Sequence, residues 1–194
     1  MSLSVYTENS HYRPASLKNK PHIVWYQFEQ KDVESKGYKA HVEHARLNWQ
    51  TLDVGEQTMV AVESELPFNY TGIMMTEGES YQITAIEGDI WWDKSIKCDA
   101  NGWNRKQLRY GIKRALIASF AAQKRLPKDE QGNNVDWFVL CATIGNEDSY
   151  AKAIGKAGTF EALKSGELTL FANDMPSKYG NNSGEIRVTI KRLS

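Results

Sequence analysis

The sequence predicts a mainly β protein, an antiparallel β-sandwich with one helix inserted between two of its strands. After Gly55 the chain consists of short runs rich in β-branched and aromatic residues, separated by turn residues such as Glu77-Gly78 and Glu87-Gly88. One segment, residues 104–125, instead repeats its apolar residues at helical spacing. Many short strands with regular turn signals are typical of sandwiches, which is why this fold class is favoured.

Six segments are predicted as strands of the sandwich, because each is short, rich in β-formers and bounded by turn residues. They are residues 58–62, 72–75, 80–85, 137–144, 168–171 and 185–190.

Residues 1–55 are predicted to form an extension of uncertain structure, which leaves the sandwich to residues 56–194. Residues 1–21 are polar and indicate an irregular arm. Residues 22–28 predict a strand. Residues 31–50 predict a helix, although a glycine inside the run and an alternating apolar pattern leave a strand open as the alternative.

The inserted helix is predicted over residues 104–125, because its apolar residues fall four apart. Asn104 is a suitable N-cap and Pro127 a suitable stop. The opposite face is basic, and we interpret it as a solvated surface rather than a site for phosphates or acidic glycans. Its basic residues are Arg105, Lys106, Arg109, Lys113, Arg114, Lys124 and Arg125.

Composition argues against several classes of partner. The 194 residues include 24 basic and 24 acidic side chains, so the net charge indicates neither nucleic-acid nor membrane-surface binding. No apolar run approaches the roughly 18 residues of a membrane span. No secretory signal is recognisable, which leaves the localisation open. The two cysteines, Cys98 and Cys141, are expected to be free thiols in a reducing compartment, although pairing stays open.

No catalytic arrangement is recognisable, so a binding protein is expected rather than an enzyme. The sequence shows no Ser-His-Asp or Cys-His pattern and no glycine-rich phosphate loop. His41 and His44 lie three apart, but a zinc site would need further ligands that no known spacing supplies.

Residues 173–184 carry the most informative motif. One carboxylate, Asp174, is followed by Gly180 and by two consecutive amides, Asn181 and Asn182. Such residues are common in a long β-hairpin connection, which is one reading. The other is a calcium loop, since Ca²⁺ accepts about six to eight oxygen ligands from carboxylates, amides and backbone carbonyls.

The motif Asn-Asp-x-Pro-x-x-Tyr-Gly-Asn-Asn-Ser-Gly, read without a gap from Asn173 to Gly184, resembles the calcium loop of the galactophilic lectin family typified by the Pseudomonas galactose-binding lectin. Residues 71–78 and 141–145 are similar to framework strands of that family. The resemblance covers roughly residues 56–194. It implies a jelly-roll-like, galactose-binding-domain-like sandwich and calcium-dependent binding of galactosides.

By position in the motif, the resemblance implies that Asp174, Asn181 and Asn182 give side-chain oxygens to calcium. Lys178 would give only its main-chain carbonyl. A further main-chain carbonyl would come from the loop 88–92. The resemblance places that ligand at Trp92, or at Trp91 if the register slips by one.

In this family two sugar hydroxyls complete the coordination sphere, so the same acidic and amide side chains are implied to contact the sugar. Trp92 and Trp103 lie in or beside this region and are predicted to contact the sugar as well, since aromatic faces receive the apolar face of sugars. Weak single sites also lead us to expect a homo-oligomer, which would raise avidity.

The chain departs from the family pattern where the inserted helix replaces a short polar loop with sugar-contacting side chains. The sugar contacts of that loop therefore have no counterpart here. The alternative is a protein-interaction or accessory module that keeps the fold but has lost or altered sugar binding.

Overall fold

The computed structural model describes residues 49–104, 106 and 120–194, and these residues contain eleven strands. The strand at 22–28, most of the helix at 31–50 and the His41–His44 pair are predictions that lie outside the described residues. The strands are β1 (Gln57–Glu63), β2 (Asn69–Met75), β3 (Ser80–Ala85), β4 (Ile90–Asp93), β5 (Ile96–Cys98), β6 (Asn101–Trp103), β7 (Trp137–Ile144), β8 (Lys152–Ala153), β9 (Ala157–Glu161), β10 (Gly166–Ala172) and β11 (Asn182–Arg192).

The strands form two antiparallel sheets, which confirms the predicted fold class. The larger sheet has the order β5-β4-β11-β3-β9, with β1 also paired to β11. The smaller sheet has the order β2-β10-β7-β6, with β8 also paired to β7. β11 is the longest strand, with 11 residues, and it pairs with β1, β3 and β4.

The core lies between the two sheets and follows the two-residue period of the strands. On β11 the buried apolar residues are Ile186, Val188 and Ile190, separated by more exposed neighbours. On β10 the alternate residues Leu168 and Leu170 belong to the same apolar cluster. The sandwich is therefore held by the side chains that face inward from both sheets.

The outer face of β10 is also buried, so this strand does not show the expected alternation of burial. Trp49 donates a hydrogen bond from Nε1 to Glu167 Oε2 at 3.0 Å. The guanidinium of Arg125 lies 3.5 Å from the centre of the Phe171 ring. Segments outside the sheet thus cover residues that alternation alone would leave in solvent.

All six predicted strands lie within observed strands, namely β1, β2, β3, β7, β10 and β11. The segment expected as a loop at 88–92 is different, because Ile90–Asp93 forms β4. The remaining strands were not predicted. They are between two and five residues long, which is too short to show a repeating pattern.

The described ends of the inserted segment agree only in part with the predicted helix. Asn104 Oδ1 accepts a hydrogen bond from the Lys106 backbone N–H at 3.0 Å, the contact expected of an N-cap. Most of the predicted helix, residues 105 and 107–119, lies outside the described residues. Ala121–Gln123 form a single 3₁₀ turn, and the backbone of Lys124 is extended. The helix therefore ends before Arg125, where the prediction had placed its end.

The prediction that Lys124 and Arg125 belong to a solvated basic face is wrong, because both are buried. The Arg125 guanidinium lies between the rings of Phe68, at 4.2 Å, and Phe171, at 3.5 Å, and pairs with Asp148 at 2.5 Å. Lys124 lies over the ring of Trp137 at 5.1 Å. Cation–π contacts and a charge partner compensate for the loss of hydration, which a pattern of charges along the chain cannot reveal.

Cys98 and Cys141 are both free and buried, as expected for unpaired thiols. Burial raises the pKa of each thiol to about 12, so neither is a reactive thiolate near neutral pH. In the part of the chain that the structure describes, no helix is long and apolar enough to cross a bilayer.

We predict that replacing Glu167 weakens the pH dependence of stability. Burial raises the pKa of Glu167 to about 7, against the opposing hydrogen bond that its Oε1 accepts from the Gly72 N–H at 2.7 Å. The folded chain thus holds this proton to higher pH than the unfolded chain, and stability falls as pH rises from about 4.5 to 7. That change of pKa is worth about 3 kcal/mol.

Glu167→Gln cannot ionise, so the slope of unfolding free energy against pH should become shallower over this range. Urea unfolding at several pH values between about 4.5 and 8 measures that slope. A slope equal to that of the native chain would contradict the raised pKa of Glu167. A uniform loss of stability at every pH would not, because the amide also disturbs two accepted hydrogen bonds.

Candidate functional site

The loop 173–181 connects β10 to β11, which belong to different sheets. It is therefore a crossing at one end of the sandwich and not a β-hairpin connection. The Lys178 N–H donates to the Met175 carbonyl at 2.9 Å, and the Asn181 N–H donates to the Lys178 carbonyl at 3.0 Å. These two successive turns bring the beginning and the end of the loop together.

The centre of the loop is a contact between Asp174 and Asn182. Asp174 is 2% exposed, and its Oδ1 accepts from the Met175 N–H at 2.7 Å. Its Oδ2 accepts from Asn182 Nδ2 at 3.1 Å, and the same amide group donates to the Ser64 carbonyl at 3.1 Å. Two acceptors thus orient the amide, because the opposite orientation would place Oδ1 against two other oxygens.

This orientation leaves Asn182 Oδ1 buried without a hydrogen-bond partner among the described residues. A buried acceptor with no partner costs about 1–3 kcal/mol, so native proteins rarely retain one without a reason. The atom lies beside the carboxylate to which its own amide group donates. The arrangement suits a cation that takes both oxygens.

The electrostatics of Asp174 indicate the same need for positive charge. Burial, and to a lesser extent the nearby carboxylate of Asp93, raise its pKa to about 7, against smaller opposing contributions that include Lys178. Within the described residues, no basic side chain forms an ion pair with Asp174. Burying an unpaired carboxylate is unfavourable, and a bound cation would remove that cost.

A cavity of about 160 Å³ lies beside this contact. The loop contributes Asp174, Met175, Lys178 and Asn181 to its wall. Among the described residues, Asp93, Trp103, Phe120 and Trp137 contribute to the rest of the wall. The volume is well below the roughly 300–1,000 Å³ of pockets for drug-sized ligands, so the cavity suits a small ligand.

Strands β4, β6 and β7 position the far wall of the cavity. Asp93 lies opposite Asn182 in the β4–β11 register, and Trp103 lies opposite Trp137 in the β6–β7 register. The two indoles are stacked, with centroids 5.8 Å apart and planes at 14°. Trp103 Nε1 donates to Asp93 Oδ2 at 3.0 Å. Burial raises the pKa of Asp93, and this hydrogen bond opposes the shift.

Asn173 holds the loop against the segment that follows the insertion. Its Oδ1 accepts from the Leu126 N–H at 3.0 Å, and its Nδ2 donates to the Leu126 and Asp136 carbonyls at 2.9 and 3.0 Å. The Arg125 N–H donates to the Asp174 carbonyl at 3.1 Å. The first residue of the motif therefore has a structural role, which its sequence context did not reveal.

The structure brings together four of the residues predicted as metal ligands. Asp174, Lys178 and Asn181 line the cavity, and Asn182 contacts Asp174. The Lys178 carbonyl accepts one hydrogen bond from Asn181, and a carbonyl oxygen keeps a second lone pair for a cation.

Trp92 lies on β4 next to this group, but it does not line the cavity. It is paired with Ser183 on one side and Lys97 on the other, and its side chain is 36% exposed. A contact from its carbonyl or indole stays a prediction, as does the alternative ligand Trp91. Trp103 does line the cavity, but it is only 3% exposed and one face is stacked on Trp137.

Four residues that line the cavity were not predicted from the sequence, namely Asp93, Phe120, Trp137 and Met175. Of these residues, Asp93 could most easily have been found. It is two residues from the buried Trp91 and so shares its face of β4. No three His, Cys, Asp or Glu side chains of the described residues converge as a metal site. The candidate set relies instead on amide and backbone oxygens.

Replacing Asn173 should separate its structural role from the binding role expected of Asn181. Asn173→Ala leaves three partly buried backbone groups without their partner, so we expect a loss of about 3 kcal/mol in unfolding free energy. Asn181→Ala, at an exposed position of the same loop, should change it by no more than about 0.5 kcal/mol without calcium. Urea unfolding in a chelator measures both, and equal losses would contradict the distinction.

Comparisons with known proteins agree with the motif. The family model of PA-IL-like proteins matches residues 69–194, and PA-IL is the galactophilic lectin of Pseudomonas. No curated protein matches the chain. One solved structure, described as the EclA N-terminal domain and a PllA-like lectin, is 24% identical over 69% of this chain and 94% of that chain, with a TM-score of 0.40. A structural match with this TM-score supports no argument about function. The family model, in contrast, covers well over half of the chain. The chain therefore belongs to the PA-IL-like family.

Proposed function

We propose that this chain is a calcium-dependent carbohydrate-binding protein whose ligands are galactosides. The observation that carries the proposal is the buried, unpartnered Oδ1 of Asn182 beside the buried carboxylate of Asp174. Family membership supports it, since PA-IL is a galactophilic lectin.

The donor atoms fit calcium by their chemistry. Asp174, Asn181 and Asn182 would supply side-chain oxygens, and Lys178 would supply its carbonyl. Trp92 is a further carbonyl implied by the family pattern. Calcium takes about six to eight oxygens in flexible geometry, so such a set leaves positions for ligand hydroxyls. Sulfur or imidazole ligands, which would favour zinc, are not part of this set.

A bound calcium ion would act as an electrophilic centre that accepts hydroxyl oxygens. Asp174 would then have the counter-charge that its burial requires. The cavity would hold the rest of a small ligand between the loop and the indole wall formed by Trp103 and Trp137. Sugars combine hydroxyls with apolar C–H faces and match both features.

A second candidate is the interaction or accessory module that has altered sugar binding. Trp103, which directly precedes the inserted segment, and Phe120, which lies within it, both line the cavity. The inserted segment therefore borders the cavity, where the family pattern has a polar loop. Calcium binding without binding of any glycan would favour this candidate.

We propose that the chain binds sugars without hydrolysing them, although glycoside hydrolases also use two neighbouring carboxylates, as Asp93 and Asp174 are here. Asp174 could not act as a general acid while it is a calcium ligand. Release of product from a galactoside incubated with the purified chain would contradict the proposal. Single sites of this size bind weakly, so we also propose that a homo-oligomer supplies avidity.

We predict that Asp174→Ala abolishes calcium binding and sugar binding together, because it removes the one acidic ligand. Isothermal titration with calcium, followed by a glycan array with calcium and again with a chelator, measures both. Lys178→Ala is the matched control, since only its carbonyl is needed, and its calcium affinity should change by no more than about threefold.

Glycan binding that survives Asp174→Ala, or that is equal in calcium and in chelator, would refute the proposed mechanism. Loss of calcium binding in Lys178→Ala, with the fold intact by circular dichroism, would contradict the proposal that Lys178 contributes only its carbonyl to calcium binding.

A further inference from the structure

Asp93 is a second carboxylate in the wall of the candidate sugar cavity, and the ligand set proposed for calcium does not use it. It lies on β4, directly opposite Asn182 on β11. Directly opposed residues of antiparallel strands have Cβ atoms about 5 Å apart, so Asp93 is beside the proposed metal ligands. It belongs to the sheet rather than to the loop, and its position is set by strand pairing on both sides.

Trp103 holds the Asp93 carboxylate in one orientation. Its indole N–H donates to Asp93 Oδ2 at 3.0 Å, and its ring is stacked on Trp137. Gly102 allows the close approach that this stacking needs, because a Cβ at that position would lie 2.0 Å from the Trp137 carbonyl oxygen. The carboxylate is therefore supported by a buried and tightly packed side chain.

The second oxygen of this carboxylate is available to a ligand. The structure shows no hydrogen bond to Asp93 Oδ1 from any described residue, and Asp93 is only partly buried. An ionised carboxylate is a stronger acceptor than a neutral group, and hydrogen bonds to it are roughly twice as strong as those between neutral groups.

A ligand hydroxyl that gives its oxygen to a cation would also need a hydrogen-bond acceptor for its hydrogen at this position. A cation that accepts the oxygen of a hydroxyl draws electron density from it, which makes its hydrogen a better donor. That hydrogen has to find an acceptor when the ligand leaves water, or the affinity falls. A carboxylate beside the coordinating oxygens, but not part of their set, satisfies this requirement.

We propose that Asp93 is a specificity residue that accepts a hydrogen bond from a hydroxyl group of the bound sugar, and that Trp103 is the positioning residue that orients it. The inference rests on the proposed function, because it requires a sugar in this cavity. Asp93 would then favour ligands with a hydroxyl group at the matching position over analogues that lack this hydroxyl.

The test is a cycle that combines protein variants with ligand analogues. Methyl β-galactoside and its monodeoxy analogues, each lacking one hydroxyl, are titrated in saturating calcium into the native chain, Asp93→Asn and Trp103→Phe. In the native chain, removal of the hydroxyl that donates to Asp93 should weaken binding by roughly tenfold. In Asp93→Asn that penalty should shrink to about twofold, while penalties for the other hydroxyls persist. Trp103→Phe keeps the aromatic ring but lacks the N–H, and it should reduce the same penalty in part.

Asp99→Asn is the matched control, because it removes a carboxylate close in the chain that lies in an exposed ion pair with Lys156 at 2.8 Å and does not line the cavity. Its pattern of penalties should equal that of the native chain. Calcium titration of each variant accompanies the sugar titrations, and Asp93→Asn should retain calcium within about tenfold of the native affinity.

Each result then has one meaning. A native chain that binds neither calcium nor methyl β-galactoside refutes the proposed function, and the inference with it. A native chain that binds both, with the same penalties in Asp93→Asn, refutes the inference alone. Loss of calcium binding in Asp93→Asn also overturns it, since Asp93 would then be a metal ligand.

Discussion

The contact between the Asp174 carboxylate and the Asn182 amide is the constraint on which the rest of this end of the molecule depends. It joins the residues at the end of β10 and the start of β11, and so ties one sheet to the other. Because both side chains are buried, their orientation has to be set by neighbours rather than by water. The result is a buried carboxylate and a buried amide held together beside a small cavity, the arrangement on which the proposed cation site rests.

The surrounding structure holds this buried pair in place. Asn173 binds three backbone groups of the segment that follows the insertion, and Arg125 contributes its N–H to the Asp174 carbonyl. Arg125 is itself fixed between two aromatic rings and paired with Asp148. The C-terminal end of the inserted segment, at Arg125, is thus part of the framework that supports the site.

Two classes of side chain meet in the cavity, and they have different origins. The loop supplies ligands that are close together in the chain and share one motif. The sheets supply Asp93, Trp103 and Trp137, which come together only through strand pairing. The first class explains what the site shares with the PA-IL-like family. The second would explain how this member selects its ligand, since its wall is aromatic where the family pattern has a polar loop.

The sequence by itself determined the strands with a clear pattern and the identity of the loop. Runs of β-forming residues bounded by turn residues predicted six strands, and the gap-free motif at Asn173 predicted the family. Only the tertiary structure decided that Arg125 is buried, that Ile90–Asp93 is a strand and that Asp93 faces the loop. The physical reason is range: a motif or a period records interactions along the chain, whereas these features depend on aromatic rings and strands that are distant in sequence and adjacent in space.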